Sequence, residues 1–285
     1  MKKIIVIGSK GQLGNEFQEL EKQYQSFQFF FYDVEEMDIV NKDLVEKGIS
    51  EVKPDYLINC AAYTAVDKAE TEKEIAFAIN SEAVRNIATA CSSNGVKFIH
   101  ISTDYVFDGE ASEPYKEESI VNPSNIYGES KLRGEQEAVK GNADVIIVRT
   151  AWVYSIYGSN FVKTMLRLMR SKPEISVVAD QYGSPTYAHD LAEVIMNIIS
   201  SGKWVPGIYH YTNDGIISWF DFASEIKKLS ELSCTINPIT TEEYPTPAKR
   251  PQYSVLDKTK IQQTFGVKLK DWKDSLQQCL NKMPD

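Results

Sequence analysis

Short apolar runs alternate with amphipathic stretches through the first half of the chain. The apolar runs contain β-branched and aromatic residues with little polar interruption, which is typical of strands buried on both faces. The pattern predicts strands at residues 3–7, 27–32, 56–60, 96–102 and 144–149. It predicts helices from Gly14 to about residue 24 and at 41–52, 74–94 and 125–139. This alternation favours an α/β fold with a doubly wound parallel sheet.

Beyond Thr150 the alternation becomes irregular. The pattern predicts helices at 160–169 and 189–200, another that begins at Ser218, a last one at 271–280, and a strand at 175–179. Prolines between residues 238 and 251 predict a long loop. We therefore expect a main Rossmann-type domain over residues 1–150, with added segments from 172–210, and a smaller C-terminal lobe over 151–285.

Composition excludes several classes of protein. The 285 residues are 42% hydrophobic and carry a net charge of −9, and the absence of a basic cluster argues against a nucleic-acid partner. No apolar run is long enough to cross a membrane, and Gly8 ends the N-terminal run too early for a signal peptide. The four cysteines lie far apart without metal-ligand spacing, as expected in a reducing compartment. We expect a cytoplasmic protein without a membrane partner.

A glycine-rich turn follows the first predicted strand. Gly8, Gly11 and Gly14 lie between a strand and a helix, where a tight turn and a helix N-terminus together bind a pyrophosphate. Asp33 lies about 20 residues farther on, at the end of the second strand, where a carboxylate accepts hydrogen bonds from ribose hydroxyls. That carboxylate favours NADH, whereas Lys10 could offset the phosphate of NADPH. Both cofactors remain open.

The predicted dinucleotide site extends along the carboxyl ends of the strands. Ala61 and Ala62 are small enough to let a dinucleotide cross the sheet edge, and Asp38 and Ile39 lie at a distance suited to the adenine. The predicted cofactor-binding residues are Gly8, Lys10, Gly11, Gln12, Leu13, Gly14, Asp33, Asp38, Ile39, Cys60, Ala61, Ala62, Tyr63, Thr64, Tyr127 and Lys131.

Candidate acid–base chemistry lies in two segments. Tyr127 and Lys131 are four residues apart in a predicted helix and therefore share one face. An ammonium beside a phenol favours the phenolate, so we expect Lys131 to lower the pKa of Tyr127 and make it a proton donor near neutral pH. Thr103, at the end of the fourth strand, could share that proton or hold a substrate oxygen. Thr103, Tyr127 and Lys131 are the predicted catalytic residues.

These motifs together resemble the extended short-chain dehydrogenase/reductase superfamily, and the resemblance covers nearly the whole chain. Within the superfamily it is strongest to reductases of nucleotide-linked 4-keto sugars. The segments that carry it are 11–14, 59–70, 102–109, 127–131, 149–154, 160–161, 180–186 and 244–251.

The resemblance implies an NAD(P)-binding Rossmann domain, a substrate-binding lobe and an NAD(P)H-dependent oxidoreductase. The implied reaction reduces the C4 ketone of dTDP-4-dehydro-L-rhamnose to dTDP-L-rhamnose, for cell-surface polysaccharide biosynthesis. Tyr127 then protonates the oxygen, Lys131 holds the nicotinamide ribose, and Thr103 hydrogen-bonds the ketone. Arg250 is the candidate for the diphosphate, because a guanidinium fork matches phosphate oxygens. The implied substrate-binding residues are Thr103, Asp104, Tyr105, Trp152, Asn160, Gln181, Pro185, Thr186 and Arg250.

Several alternatives remain at this stage. A sugar-nucleotide 4-epimerase uses the same Thr, Tyr and Lys, and a regulatory relative on this fold is a third possibility. Tyr105 stands where a 4,6-dehydratase needs a second carboxylate, which argues against elimination. Some relatives are thought to dimerise through magnesium. Glu16 could be one ligand, but His189 stands near the expected place of another, which argues against a metal-linked dimer. We therefore assign no metal-binding residue, leave magnesium open as a cofactor, and expect a monomer or homodimer.

Overall fold

The computed structural model describes residues 1–283. Its strands are β1 (Lys2–Ile7), β2 (Phe27–Tyr32), β3 (Tyr56–Asn59), β4 (Lys97–Thr103), β5 (Ile146–Thr150), β6 (Val153–Tyr154), β7 (Glu174–Val178), β8 (Tyr182–Gly183), β9 (Thr186–Tyr187), β10 (Gly207–His210), β11 (Ile217–Ser218) and β12 (Thr235–Ile239). Its α-helices are α1 (Gln12–Leu20), α2 (Lys42–Val52), α3 (Val66–Ala69), α4 (Lys73–Phe77), α5 (Ala83–Ser93), α6 (Ile126–Gly141), α7 (Phe161–Ser171), α8 (Ala188–Ser200), α9 (Trp219–Leu229), α10 (Thr259–Phe265) and α11 (Trp272–Lys282). Within this part of the chain, we find no helix with the length and apolar character that a bilayer crossing requires.

Six strands form one parallel sheet in the order β10-β5-β4-β3-β1-β2. The chain leaves β1 toward β2 on one side and returns to β3 on the other, so the winding reverses between β1 and β3. A crevice opens at the carboxyl ends of the strands where the winding reverses. The predicted doubly wound α/β fold is confirmed.

Apolar residues cover both faces of this sheet. Ile4 and Val6 of β1 pack in one cluster with α1 and α8, whereas Ile5 and Ile7 pack in a second cluster with α2 and α5. Successive strand residues point to opposite faces, so a continuously apolar strand serves both layers. A third cluster joins α7, α9 and α11 beyond the sheet.

The sixth strand of the main sheet, β10, is not among the strands that the sequence pattern predicts. The strand predicted at 175–179 exists as β7, but it pairs with β12 in a separate two-stranded sheet. The main sheet instead takes β10, which pairs with β5. β10 is only four residues long and contains Gly207 and His210, so it lacks the continuous apolar pattern of the other strands. β12 runs through Pro238 to Ile239, so the predicted proline-rich loop starts later than expected.

The helix predicted at 74–94 is interrupted. α4 and α5 flank a π-helical turn at Ala78–Glu82. Asn80 in this turn is buried, and its amide nitrogen donates to the carbonyl of Tyr63 and the hydroxyl of Ser130. Such turns widen a helix by one residue and often occur beside functional sites.

Candidate active site

The end of β4 and the start of α6 meet at the carboxyl edge of the sheet. Asn125 caps α6 by accepting a hydrogen bond from Gly128 N at 2.8 Å. A Cβ on Gly128 would lie 2.2 Å from the carbonyl oxygen of Tyr105, so glycine permits this close approach. The first turn of α6 is therefore held against the residues that follow Thr103, and Tyr127 is brought to the strand end.

Tyr127 and Lys131 lie one turn apart on α6, as the spacing predicts. The Tyr127 ring meets the Tyr105 ring edge-on, with centroids 5.5 Å apart. Lys131 Nζ donates to the carbonyl oxygen of Ile101 at 2.6 Å. The lysine is therefore anchored to the backbone of β4 beside the tyrosine.

The predicted lowering of the Tyr127 pKa by Lys131 is wrong in this structure. Desolvation raises the pKa of Tyr127 to about 12, the neighbouring Thr103 hydroxyl lowers it, and the charge of Asp104 raises it. Burial also lowers the pKa of Lys131 to about 8. Tyr127 consequently keeps its proton at neutral pH, which is the form that a proton donor requires.

Thr103 and Asp104 form a buried pair beside this tyrosine. Thr103 Oγ1 donates to Asp104 Oδ1 at 2.9 Å and accepts from Tyr105 N at 3.2 Å. Asp104 is 2% exposed, and burial raises the pKa of its carboxyl group to about 6. Among the described residues, no group hydrogen-bonds its second oxygen, Oδ2.

The glycine-rich turn has the close packing that a dinucleotide site requires. Gly8 has φ +78°, and a Cβ there would lie 2.6 Å from Ala61 N. A Cβ on Gly14 would lie 2.3 Å from the carbonyl oxygen of Gly8. Gly11 precedes α1 without a side-chain cap, which leaves the amides of the first turn to a ligand. The residues in this turn therefore fit a pyrophosphate.

Asp33 lies at the end of β2, beside this turn. Its Oδ2 accepts from Lys10 N at 2.9 Å, and its Oδ1 accepts from Val34 N. The exposed Lys10 ammonium pairs with Glu35 at 2.6 Å. The carboxylate is thus fixed at the place expected for the adenosine ribose, with a cation nearby.

The other predicted cofactor residues fall into two groups. Gln12 and the half-buried residues Cys60, Ala61, Ala62 and Tyr63 lie along the crevice side of β1 and β3, with Thr64 exposed beyond them. By contrast, Leu13 and Ile39 pack into the two cores on either side of the sheet. Asp38 uses one carboxylate oxygen to accept from Val40 N.

A cavity of about 550 Å³ opens beside Tyr105, between α7, β7 and the segment before Arg250. Three of the predicted substrate-binding residues line it, namely Tyr105, Gln181 and Arg250. The residues that line it are Asp67, Tyr105, Phe161, Thr164, Met165, Leu168, Lys172, Ile175, Ser176, Val177, Val178, Gln181, Trp219, Ile239, Tyr244, Thr246 and Arg250.

Arg250 is already paired within this cavity. Its Nη2 contacts Asp67 Oδ2 at 2.8 Å, and its Nη1 donates to the carbonyl of Ala248. Asp67 carries no motif of its own that marks it for this role, and only its contact with a residue far along the chain reveals it. The carboxylate holds the guanidinium at the mouth of the cavity.

Six of the nine predicted substrate residues do not line this cavity, and three of the six have contacts elsewhere in the protein. Asn160 caps α7, and its amide nitrogen donates to Gln12 Oε1 and the carbonyl of Ser155. Pro185 is buried, and buried Thr186 hydrogen-bonds Thr150 within the protein. In this structure the contacts of Asn160 and Thr186 join separate segments of the chain.

Trp152 stacks on Trp219, with ring centroids 3.5 Å apart. Trp152 has φ +48°, a conformation that is uncommon for a non-glycine residue and occurs mainly at constrained sites. Trp219 lines the cavity, so the pair forms an aromatic wall at one end of it. The sequence analysis names Trp152 as a substrate-binding residue, but it does not name Trp219.

Glu16 and His189 face each other in the interior. Glu16 Oε2 lies 3.0 Å from His189 Nδ1, and Glu16 Oε1 accepts from Ser155. In residues 1–283 no group of three or more His, Cys, Asp or Glu side chains is arranged to hold a metal ion. Glu16 therefore serves as an internal hydrogen-bond acceptor in this structure.

A protein-family model and the sequences of known proteins both match nearly the whole chain. Residues 1–284 match the family model described as "RmlD substrate binding domain". A dTDP-4-dehydrorhamnose reductase of Aggregatibacter actinomycetemcomitans is 43% identical over 286 residues, which cover 97% of each chain.

Solved structures agree with this match. A dTDP-4-dehydrorhamnose reductase from Clostridium acetobutylicum is 44% identical, with a TM-score of 0.94 and 98% of each chain covered. The enzyme of the same name from Bacillus anthracis, solved in complex with NADP, is 40% identical, with a TM-score of 0.96 and coverage of 99% of this chain and 100% of that one. The chain therefore belongs to the RmlD substrate binding domain family, which includes dTDP-4-dehydrorhamnose reductases of nearly the same length.

Proposed function

We propose that this protein reduces the C4 ketone of dTDP-4-dehydro-L-rhamnose to dTDP-L-rhamnose, with NADH or NADPH as hydride donor. The observation that carries this proposal is the placement of Tyr127 and Lys131 on α6 against the end of β4, where Thr103 lies. The names of the full-length relatives support the same substrate.

Each catalytic side chain has a role that its contacts support. The bound nicotinamide supplies the hydride to C4. Tyr127 gives its proton to the substrate oxygen as negative charge develops there, which its pKa of about 12 allows because an alkoxide is a stronger base. Lys131, anchored to Ile101, presents a charge beside the phenolate that forms. Thr103 hydrogen-bonds the same oxygens.

The cavity supplies the recognition of the sugar nucleotide. Arg250 exchanges its bond with Asp67 for the diphosphate, while Gln181 and Lys172 line the same space. Apolar side chains from α7 and β7 pack against the base. The stacked pair Trp152 and Trp219 closes the sugar end.

Both nicotinamide cofactors fit the adenosine end. Asp33 accepts hydrogen bonds from a ribose, which favours NADH, and the ammonium of Lys10 can turn from Glu35 toward a phosphate. A relative that is 40% identical was solved with NADP, which supports NADPH as well. Glu16 takes no part in a metal site in this proposal.

The proposal also includes a cellular location and an oligomeric state. Action in the cytoplasm is supported by four free cysteines, as expected in a reducing compartment. The chain works as a monomer or homodimer. The 4-epimerase remains a second candidate because it uses the same Thr103, Tyr127 and Lys131, but the similarity to named reductases favours net reduction.

The proposed activity is tested by following NADH or NADPH oxidation at 340 nm with dTDP-4-dehydro-L-rhamnose as substrate. We expect stoichiometric cofactor oxidation and dTDP-L-rhamnose as product. Tyr127→Phe should lose about a hundredfold to ten-thousandfold in kcat, the usual contribution of general acid catalysis, while still binding cofactor. An epimerase would interconvert sugars without net oxidation, and near-normal turnover of Tyr127→Phe would exclude Tyr127 as the proton donor.

A further inference from the structure

The hydroxyl of Thr103 has a single proton, and in this structure Asp104 is its hydrogen-bond acceptor. Thr103 Oγ1 donates to Asp104 Oδ1 at 2.9 Å, while the backbone N–H of Tyr105 occupies one of its lone pairs. A threonine hydroxyl donates only once. While Asp104 is ionised, Thr103 therefore cannot donate to Tyr127 or to a ketone.

A protonated Asp104 reverses this arrangement. Its carboxyl group then donates to Thr103 Oγ1, which frees the threonine proton for the next acceptor. We take Tyr127 as that acceptor, because its ring packs edge-on against Tyr105 beside the end of β4 and the Thr103 hydroxyl lowers its pKa. Thr103 is thus bonded to the buried carboxyl group of Asp104 and neighbours the proton donor.

The surroundings of Asp104 favour the protonated form more than those of an ordinary aspartate. Its own segment contributes Thr103 and Tyr105, α6 contributes Tyr127, and the segment before α10 contributes the Ser254 hydroxyl. Arg250 and Asp67 lie farther out, beyond Tyr105. Among the described residues, none of the groups that shift the pKa of Asp104 is a cation. Burial raises this pKa to about 6.

We propose that Asp104 is a positioning residue that acts through Thr103, and that it holds a proton and returns it to Tyr127 after each reduction. This inference rests on the proposed reductase function. The hydride forms the C4–H bond, and the proton of Tyr127 forms the O–H bond of the product. Tyr127 then takes the proton of Thr103, Thr103 takes the proton of Asp104, and the Asp104 carboxylate regains a proton from water. One hydride and one proton are consumed per turnover.

Lys131 does not offer the same route in this structure. Its Nζ donates to the carbonyl oxygen of Ile101, which has no proton to pass on. Thr103, in contrast, joins Tyr127 to a group that gains and loses a proton near neutral pH. The position of Asp104 directly after Thr103 thus determines when the threonine can donate.

The test is Asp104→Asn, which keeps the shape and polarity of the side chain but has no titratable proton. We expect kcat at pH 6.5 to fall by about a hundredfold, within the range for a proton-transfer group, while KM changes little. Wild-type kcat should decline from pH 6 to pH 8, and the residual kcat of Asp104→Asn should not vary over this range. Asp108→Asn is the matched control, because Asp108 belongs to the same segment but bonds Tyr115, and it should keep the wild-type profile.

A second measurement does not depend on turnover. In protein labelled with carbon-13 at aspartate carboxyl groups, one NMR resonance should titrate near pH 6 and be absent from Asp104→Asn. The inference is overturned if Asp104→Asn keeps wild-type kcat, if it loses activity but keeps the wild-type pH dependence, or if no such resonance titrates above pH 5. Failure of the wild-type reductase assay would instead reject the proposed function, and the NMR titration would still decide the protonation of Asp104.

Discussion

A neighbouring ammonium would lower the pKa of Tyr127, whereas burial raises it. A charge about 4 Å away contributes roughly 4 kcal/mol at the effective dielectric near a protein surface. Full burial shifts a pKa by as much as about 3–5 units, and one unit corresponds to about 1.4 kcal/mol. Here the lysine is itself buried and bonded to Ile101, so desolvation decides the outcome. The local spacing identifies the pair, but it does not set the pKa.

Asp33 allows a prediction at the same scale. Asp33→Ala should weaken NADH binding by about tenfold, because hydrogen bonds to a charged group contribute roughly 1.5–3 kcal/mol. NADPH should be affected less, since the same change removes a repulsion from its phosphate. Dissociation constants for both cofactors, measured by fluorescence titration, check this expectation.

Glu35→Ala is the matched control for Asp33. It frees Lys10 from its ion pair without touching the end of β2, and it should strengthen NADPH binding while leaving NADH unchanged. Equal losses of both cofactors in Asp33→Ala would remove Asp33 from the ribose contact.

The interrupted helix shows how one element supports the site. Asn80 in the π-helical turn accepts from Tyr63 N at 2.8 Å and donates to Ser130 Oγ at 2.9 Å. Tyr63 belongs to the loop after β3, and Ser130 lies on α6 between Tyr127 and Lys131. A Cβ on Gly134 would approach the Asn80 carbonyl within 2.0 Å, so α6 packs closely on this turn. The turn thus ties the predicted cofactor loop to the catalytic helix.

Asn80→Ala should therefore affect both stability and cofactor binding. Leaving Tyr63 and Ser130 without their buried partner should cost about 1–3 kcal/mol of unfolding free energy, measured by urea denaturation. Cofactor affinity should fall as well, because the loop loses its link to α6. Asn94→Ala, which removes only a bond to Ala90 at the end of α5, should leave cofactor affinity unchanged. The same affinity in Asn80→Ala as in Asn94→Ala would contradict this supporting role.

At the scale of the whole molecule, late segments complete the early sheet. β10 pairs with β5, and α8 packs against α1. Behind the catalytic helix, Arg149 of β5 makes two hydrogen bonds to Glu135 of α6, at 2.8 and 2.7 Å. His210 of β10 lies against Arg149 in the same buried region. β5, α6 and β10, which are distant in sequence, thus meet at one buried cluster of polar side chains.

His210 makes stability depend on pH. Burial and the charge of Arg149 lower its pKa to about 3 in the folded protein, against about 6.5 when unfolded. Between these values the unfolded chain binds the extra proton, so folding stability is full above pH 6.5 and falls as the pH decreases toward 3. The slope from one such group approaches about 1.4 kcal/mol per pH unit.

Urea denaturation between pH 7.5 and pH 5 measures this slope. His210→Gln should be less stable than wild type at pH 7.5. Below pH 6.5, the slope of its unfolding free energy against pH should be smaller than that of wild type by the contribution of about one bound proton. His100 is also buried with a lowered pKa, so some dependence should remain. An unchanged slope in His210→Gln would show that His210 does not supply this linkage.

The sequence by itself determined the parts of this protein that depend on neighbours in the chain. Continuous apolar runs predicted β1 to β5, and the glycines, the acidic residue at the end of β2 and the Tyr127–Lys131 pair located the edge where they meet. Local spacing and strand burial suffice for these features because each is encoded within a few residues.

Only the tertiary structure decided what depends on distant groups. The raised pKa values of Tyr127 and Asp104, the support from Asn80, the pairing of Asp67 with Arg250 and the place of β10 all depend on contacts across long stretches of chain. Desolvation and the pairing of buried polar groups are set by everything that surrounds an atom. No short segment of sequence contains that information.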